Sequence, residues 1–350
     1  MKKYKAVVDV DTLLIHAALA GQETCVLVEH SATGWQREFK TQTEFWGHYL
    51  KKEGGWLGDV NKDKESKGLP TASPDEFVLT PVVRLVPDAE MVVKGRFKNK
   101  VETIKVQPWC SDIEICFGVG ENFRYEMAET IPYKNSRPPK PLMYETVKDY
   151  MLYKYANKMC IVEGVETDDI VAQKLHEAWE RSGHNHDNLD TIGLLIDKDL
   201  KQFPSIQVNF DKLEEGLVKI TELEAAKNLA VQMLMGDNID SIPGLPLLDD
   251  SLFEKYKLRK TKKGVGETSA KGVVNSATSV QEVYERVVEA YRLHYGETKT
   301  QFISHNGVMS DRDWLDQLNE RYRLLRMRTD VTKDVGHVID FLKGLGFEYE

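Results

Sequence analysis

The stretch that decides the fold is Ile161-Val162-Glu163-Gly164-Val165-Glu166-Thr167-Asp168-Asp169-Ile170-Val171. Four carboxylates fall within seven residues of it, and a helix-forming run continues to Trp179. A helix beginning near Thr167 places Asp168 and Asp169 in its first turn, where the helix dipole favours negative charge. Glu166 lies just ahead of that turn and shares a face with Asp169. The pattern is also typical of an ordinary acidic helix start.

Acidic residues recur wherever another predicted strand or helix ends. They follow apolar runs at 4–8 and 191–196 and a helix predicted over 221–235, which opens with a capping box. In chain order these acids are Asp9, Asp197, Asp199, Asp237 and Asp240. Apolar strands alternating with helices predict an α/β fold with a mainly parallel central sheet and flanking helices. Functional groups of such sheets gather beyond the carboxyl ends of the strands, so we expect the acids to meet there.

The composition of this acidic set indicates a metal site. Carboxylates brought together repel one another, and their pKa values rise unless cations neutralise them. A site without His or Cys ligands suits a hard cation, Mg²⁺ or Mn²⁺. Two such ions about 3.5–4 Å apart can activate a water and stabilise the leaving oxygen of a phosphodiester. The acids therefore favour metal-dependent phosphodiester cleavage.

Basic residues gather in two places that suit contact with phosphates. Tyr133 to Pro141, shortly after Arg124, combines basic and aromatic residues with three prolines that restrict the loop. The second place surrounds Gly264-Val265-Gly266, where Gly-x-Gly at a helix start lets the backbone approach a phosphate. Its basic residues are Lys255, Lys257, Arg259, Lys260, Lys262, Lys263 and Lys271. Either place is equally typical of a solvated basic loop.

Composition bounds the function classes. A length of 350 residues fits one large domain or two ordinary ones. The net charge of −9 argues against binding nucleic acid through overall positive charge, although not against a local basic face. The four cysteines show no CxxC spacing and are expected to be free thiols in a reducing compartment. No signal peptide or membrane-spanning run is evident, so we expect a cytoplasmic protein without a membrane partner.

Together these motifs resemble the bacteriophage 5′-nucleases, relatives of flap endonucleases and of the 5′-nuclease domain of bacterial DNA polymerase I. The resemblance runs in the family's order from residue 4 to about 275. Gly264-Val265-Gly266 resembles the hairpin of that family's helix–three-turn–helix DNA clamp. The other motifs are Val7-Val8-Asp9, Asn122-Phe123-Arg124, Tyr133-Lys134-Asn135-Ser136-Arg137, Gly164-Val165-Glu166-Thr167-Asp168-Asp169, Ile196-Asp197-Lys198-Asp199-Leu200 and Met235-Gly236-Asp237-Asn238-Ile239-Asp240-Ser241-Ile242-Pro243-Gly244.

The resemblance implies a PIN-like 5′-nuclease fold with a helical DNA clamp. It implies a nuclease core over 1–220 with an inserted segment at about 25–105, a clamp over 221–300, and a helical tail over 301–350 packed on the core. Lys134 and Arg137 match basic residues that engage the scissile phosphate, and Arg124 is expected on DNA with the basic loop. Two divalent ions, Mg²⁺ or Mn²⁺, are implied. Their ligands would be Asp9, Glu166, Asp168, Asp169, Asp197, Asp199, Asp237 and Asp240.

The implied activity is divalent-metal-dependent 5′→3′ exonuclease action on DNA, with flap endonuclease action or RNA-primer removal, in phage replication or recombination. The partner would be DNA with a 5′ end or 5′ flap, or an RNA–DNA hybrid. Two alternatives stay open. One is a non-catalytic DNA-binding paralogue of the same fold. The other is a single-strand ribonuclease on a similar acidic sheet, against which the clamp motif argues because such domains need no duplex-gripping module.

Several features depart from the family pattern. Many members carry an acid just after the second core strand, where this chain has Val119, so Asp112 or a water would have to replace it. The Asn-Ser order within Tyr133 to Arg137 is swapped relative to the commoner motif. Leu245 to Lys263 separates Pro-Gly from Gly-Val-Gly, which normally lie close together. The segment Cys25 to Lys105 has no counterpart. Its pattern predicts a β-hairpin over 25–39, an exposed loop over 51–74 and a helix over 89–104.

Overall fold

The computed structural model describes residues 2–48, 54–196, 198–260 and 264–348. The strands are β1 (Tyr4–Asp9), β2 (Gln22–His30), β3 (Gln36–Phe39), β4 (Phe77–Leu85), β5 (Cys110–Val119), β6 (Met159–Glu163), β7 (Thr191–Leu194), β8 (Ser205–Val208), β9 (Val218–Ile220), β10 (Gly236–Asp237), β11 (Ile242–Pro243), β12 (Thr300–Ile303) and β13 (Met309–Arg312). The helices are α1 (Val10–Leu19), α2 (Gln42–Trp46), α3 (Gly55–Ser66), α4 (Ala89–Lys105), α5 (Arg124–Met127), α6 (Tyr144–Lys154), α7 (Thr167–Arg181), α8 (Glu222–Met235), α9 (Asp250–Lys255), α10 (Glu267–Val274), α11 (Val280–Tyr295), α12 (Trp314–Leu325) and α13 (Val338–Gly344).

These elements form two compact units. The first consists of Met1–Leu13, Lys100–Pro139 and Leu152–Glu350, and the second of Leu14–Asn99 and Lys140–Met151. Among the described residues, the acids named above and Arg124, Lys134 and Arg137 belong to the first unit. None of the described helices is both long enough and apolar enough to cross a membrane.

The first unit contains a six-stranded sheet in the order β6-β5-β1-β7-β8-β9. The pairings from β6 to β8 are parallel, and only β9 runs antiparallel to its neighbour. The predicted α/β fold with a mainly parallel central sheet is therefore confirmed. Because parallel strands end at one edge of a sheet, the last residues of β1, β5 and β6 share that edge. These are Asp9, Val119 and Glu163.

Helix α7 packs its apolar side on this sheet. Val171 and Leu175 are buried in a cluster with Val7 of β1 and Cys116 of β5. Burying a side chain of this kind completely stabilises the fold by about 1.5–3 kcal/mol. This packing holds the acidic first turn of α7 at the carboxyl edge of the sheet.

A second hydrophobic cluster joins α8, α10, α11, α12 and α13. The capping box expected for α8 is present, because the Glu224 amide donates to Thr221 Oγ1 at 3.2 Å and the Glu224 carboxylate accepts from the Thr221 amide at 2.8 Å. The last three helices of the described chain are α11, α12 and α13. The antiparallel hairpin β12–β13 in front of α12 was not expected.

The second unit contains the three-stranded antiparallel sheet β3-β2-β4. The hairpin predicted over 25–39 and the helix predicted over 89–104 are confirmed as β2–β3 and α4. The exposed loop predicted over 51–74 is wrong for 55–66, which forms α3, while 51–53 lie outside the described residues. Helix α3 forms because Leu57 is buried and Trp56 packs against Phe39 and Phe45.

Candidate functional site

The acidic turn before and within α7 is fixed by a close contact with β5. Glu166 has extended φ and ψ of −82° and 154° and caps the helix, while Asp168 and Asp169 lie in its first turn as expected. The Gly118 amide of β5 donates to Thr167 Oγ1 at 3.0 Å. A Cβ at Gly118 would lie 2.3 Å from the Val165 carbonyl oxygen. Only glycine lets the strand approach this closely, so Gly118 and Thr167 position the turn.

Tyr133 joins two of the predicted acids from distant parts of the chain. Its hydroxyl lies 3.0 Å from Glu166 Oε2 and 2.9 Å from Asp240 Oδ2. Burial raises the pKa of Tyr133 well above its ordinary value, so the hydroxyl stays protonated. One proton is shared between two carboxylate acceptors. Tyr133 thus holds Glu166 and Asp240 at one place although 74 residues separate them along the chain.

Lys134 and Arg137 neutralise the same two acids. The Lys134 ammonium donates to Glu166 and lies 4.0 Å from Asp240, and Arg137 Nη2 donates to Asp240 Oδ1 at 2.6 Å. Burial lowers the pKa of Lys134, and the charges of Asp240 and Asp168 act against that shift. Burial also opposes protonation of Arg137, but Asp240 and Asp168 raise its pKa above the ordinary value. Asp168 therefore lies within electrostatic reach of both bases.

Two predicted roles are corrected by burial. Arg124 is fully buried, so it cannot reach DNA from this position. Its guanidinium donates to both oxygens of Asp169 at 2.9 Å and to Glu166 at 2.8 Å. Asp169 is likewise fully buried, and the Arg328 amide donates to it at 2.9 Å. What distinguishes Asp169 from the other acids is complete burial against Arg124, so in this structure it is the salt-bridge partner of Arg124.

The remaining predicted acids are buried near the same edge or outside the described residues. Asp9 is buried at the end of β1, and the Asp11 amide donates to it at 3.2 Å. Asp237 is buried, pairs with Lys198 at 2.9 Å and accepts from the Ile239 amide at 2.7 Å. Asp199 accepts from Gln232. Asp197 lies outside the described residues.

The charge of this set decides what it can bind. Seven of the eight predicted acids are described, and four basic side chains pair with members of the set. These bases are Arg124, Lys134, Arg137 and Lys198. Carboxylates gathered in this way favour a cation among them. Across the described ranges, however, no three His, Cys, Asp or Glu side chains are arranged to hold a metal ion. The donor chemistry fits a hard cation, whereas the ligand geometry is not assembled.

The predicted clamp closes despite its insertion. Gly236 has φ of +72°, and a Cβ there would lie 2.3 Å from the Gly244 nitrogen. Two glycines therefore allow β10 and β11 to touch after α8. The Val265 amide donates to the Leu245 carbonyl at 3.2 Å. The chain thus leaves the predicted clamp at Leu245 and returns at Val265, so Pro243-Gly244 and Gly264-Val265-Gly266 lie side by side.

Much of the basic charge around the clamp is already paired within the protein. Lys255 pairs with Glu289 at 2.6 Å, Lys260 with Asp250 at 2.8 Å, and Lys271 with Glu267 at 2.7 Å. Gly266 caps α10 with extended backbone, and its position is open, because a Cβ there would meet no atom within 4 Å. Lys257 and Arg259 form no ion pair with the described residues, and Lys262 and Lys263 lie outside the described residues.

Three residues of the site carried no assigned role in the sequence. Tyr133 and Lys198 lie inside the quoted motifs. The charged residues next to them in the sequence were what could have indicated a role for them. Glu163 is exposed at the end of β6 and is the register partner of Val119. Asp112, expected as a substitute for an acid at Val119, lies near the opposite end of β5 and pairs with Lys158 at 2.6 Å. Glu163, and not Asp112, is the acid next to Val119.

The fold is α/β, with predicted acids at the carboxyl edge of the parallel sheet and a second cluster of packed helices. No family model and no curated protein matches the chain. Among solved structures the chain is similar to the D15 protein of bacteriophage T5 co-crystallised with metal ions, at 13% identity and a TM-score of 0.34, covering 56% of this chain and 82% of the other. A T5 5′-exonuclease mutant has 13% identity and a TM-score of 0.33, and the match covers 56% of this chain and 80% of the other. A T5 flap endonuclease in a pseudo-enzyme–product complex with DNA and metal ions has 12% identity and a TM-score of 0.33. This match also covers 56% of this chain and 80% of the other.

These similarities match the family that the sequence motifs predict.

Proposed function

We propose that this chain is a divalent-metal-dependent nuclease that hydrolyses phosphodiester bonds of DNA. The activity would be a 5′→3′ exonuclease with flap endonuclease action or RNA-primer removal, in phage replication or recombination. The proposed substrate is DNA with a 5′ end or 5′ flap. An RNA–DNA hybrid is a further candidate.

One observation carries the proposal. Tyr133, Lys134 and Arg137 bind Glu166 and Asp240 together at the carboxyl edge of a parallel sheet. The edge thus combines carboxylates, which suit hard cations, with basic groups, which suit phosphate oxygens. Arg137 is half-exposed and can meet a phosphate once a metal ion satisfies Asp240.

The proposed ligands are the predicted acids without Asp169. Asp9, Glu166 and Asp168 would hold one ion, and Asp197, Asp199, Asp237 and Asp240 the other. Mg²⁺ or Mn²⁺ bound there would activate a water and stabilise the leaving oxygen. Lys134 and Arg137 would orient the scissile phosphate, and Tyr133 would keep Glu166 and Asp240 together.

A 5′-flap substrate labelled at either end tests the proposal. In Mg²⁺ the intact chain should release short products from the 5′ side, and in EDTA it should release none. Products only from the 3′ side would contradict the proposed 5′→3′ direction of digestion. Cleavage that persists in EDTA would reject the metal.

A second candidate has its own supporting observation. Glu166 and Asp240 are already neutralised by Lys134 and Arg137, so the network needs no metal ion for stability. A non-catalytic protein that binds branched DNA would show this arrangement. It would bind the flap substrate in EDTA and in Mg²⁺ equally and cleave it in neither.

Val119→Asp should lower the Mg²⁺ concentration that gives half-maximal cleavage. Its carboxylate would stand beside Glu163 on the neighbouring strand and add a negative charge at the edge. The measurement is a Mg²⁺ titration of cleavage rate, and Val119→Asn is the control with the same shape and no charge. An equal shift in both variants would assign the effect to shape instead of charge.

Replacing Lys257 and Arg259 by Ala should reduce the salt dependence of DNA binding. The slope of log K against log salt concentration should become shallower by about two. Neither side chain forms an ion pair with the described residues, so both are free to replace counterions on phosphate. The matched control is Lys255→Ala with Lys260→Ala, because these bases already pair with Glu289 and Asp250. Equal salt slopes for the wild type and the first variant would leave this loop as solvated surface.

A further inference from the structure

Two cysteines lie side by side on the central sheet, and one of them, Cys116, is also the register partner of Asp9. Cys116 of β5 and Cys160 of β6 are register partners in a parallel pairing. Cys116 is fully buried, whereas Cys160 is partly exposed on β6, the outermost strand of the sheet. Both belong to the hydrophobic cluster under α7. A small reagent can therefore reach Cys160, and behind it lies a second thiol.

The surroundings of the two cysteines shift the pKa values of their thiols in opposite directions. A hydrogen bond from Cys116, together with the Lys174 ammonium, lowers the pKa of Cys160 to about 6, against burial and the charge of Glu114. The same hydrogen bond and burial raise the pKa of Cys116 well above its ordinary value. Lys174 is held in place by Glu114 at 3.1 Å, which also pairs with Lys5 at 2.9 Å. The arrangement therefore favours the thiolate at Cys160, next to the Lys174 ammonium, and the thiol at the buried Cys116.

We propose that Cys160 is a nucleophilic modification site for hydroperoxides and other small electrophiles, and that Cys116 is its resolving thiol. The thiolate is the reactive form of cysteine, and an adjacent lysine and partial exposure are the surroundings of reactive cysteines. Nothing in this chemistry uses the carboxylates or a metal ion, so the proposal stands apart from the proposed nuclease activity.

The reaction with a hydroperoxide has two balanced steps. Cys160 Sγ attacks the terminal peroxide oxygen, an S–O bond forms, the O–O bond breaks, and the alkoxide leaves and takes a proton to become an alcohol. The sulfur is oxidised to a sulfenic acid and the peroxide is reduced. Cys116 Sγ then attacks Cys160 Sγ, an S–S bond forms, and the S–O bond breaks. The Cys116 proton passes to the leaving hydroxide, which departs as water.

The spacing of the two strands permits the cross-link. Neighbouring strands lie about 4.7–4.9 Å apart, within the range of about 4.4–6.8 Å between Cα atoms that disulfides span. Register partners need no sliding of one strand past the other. The disulfide would tie β5 to β6 six residues before Glu166.

Alkylation of the intact chain with iodoacetamide tests the thiolate. At pH 6 about half of Cys160 would be ionised, against about 0.3% of a thiol with the ordinary pKa of about 8.5. Lower intrinsic nucleophilicity removes a factor of about 13, so Cys160 should react roughly tenfold faster than such a thiol. Peptide mass spectrometry follows Cys160 against Cys25, which is also partly exposed. Equal rates for the two at pH 6 would overturn the proposal.

Variants at Lys174 separate charge from structure. Lys174→Gln should move the midpoint of the alkylation profile of Cys160 to higher pH, and Lys174→Arg should restore it because the charge returns. The wild-type profile remains a test if a variant does not fold. A wild-type midpoint at the ordinary thiol position would overturn the proposal.

Hydrogen peroxide tests the second thiol. The treated wild type should yield a Cys116–Cys160 linked peptide that a reducing agent removes. Cys116→Ala should instead yield a sulfenic acid at Cys160 that dimedone traps. A linked peptide that joins Cys160 to Cys25 or Cys110, or no linked peptide at all, would overturn the pairing.

Discussion

Asp168→Asn is expected to lower the rate of DNA cleavage by about 10²–10³-fold. The side chain keeps its size but loses its charge, which would weaken the proposed cation site beside Glu166. DNA binding should stay intact or become tighter, because one negative charge fewer repels the phosphates. Single-turnover cleavage in Mg²⁺ gives the rate, and a binding titration in EDTA gives the affinity without turnover.

The matched control is Asp112→Asn, the same chemical change at the opposite edge of the sheet. Asp112 is largely exposed and pairs with Lys158, so cleavage should stay within about twofold, since exposed ion pairs contribute little. If Asp168→Asn lost DNA binding together with cleavage, Asp168 would have a structural role instead. If both variants cleaved like the wild type, the acidic edge would not be the active site.

Arg124→Met is expected to lower the free energy of unfolding by about 3–5 kcal/mol. Methionine fills much of the volume, but Asp169 is left buried without its partner, and Glu166 loses one donor. Burial would lower the pKa of Arg124, but Asp169 raises it above the ordinary value, which reflects the same strong coupling. Urea unfolding of the intact chain measures the loss.

Two further variants isolate the ion pair. Lys271→Met breaks an exposed pair with Glu267 and should cost less than about 1 kcal/mol. Arg124→Met combined with Asp169→Leu removes both charges and should recover much of the stability, because a buried pair replaced by apolar groups is often neutral. A double variant no more stable than Arg124→Met would show that packing around Arg124, and not its charge, stabilises this region.

The acidic edge was predictable because strand ends in a parallel sheet meet. Asp9 follows an apolar run whose length and pattern indicate a buried strand, so its place at the carboxyl edge follows from topology. Glu166 was predictable as the residue just ahead of an acidic helix start. The partners of these acids were not predictable. Arg124 has the sequence surroundings of an exposed basic residue. Its burial depends on Asp169 and on carbonyl groups at 324 and 326, about 200 residues away, and such pairs are set by the packing of whole clusters.

Local pattern also failed where aromatic packing outweighed it. The polar, glycine-rich composition of 51–74 indicates a loop, but Trp56 and Leu57 pack with the rings of the neighbouring hairpin and stabilise α3. The hairpin β12–β13 was missed because its short strands carry little apolar alternation. Tertiary contacts, and not propensity, decide both segments.

The contact between Leu245 and Val265 predicts that the stretch between them varies in length among homologues. Leu248, Leu252 and Phe253 of this stretch are buried in the second hydrophobic cluster and have to stay. Because both ends are held at one point, the chain can be lengthened at exposed positions such as Arg259 and Lys260 without moving the clamp, and each doubling of a flexible loop costs only about 0.6 kcal/mol. Homologues with different numbers of residues in this stretch would keep the contact between positions 245 and 265. The stretch would also accept a foreign peptide, which makes it a suitable graft point for a reporter tag.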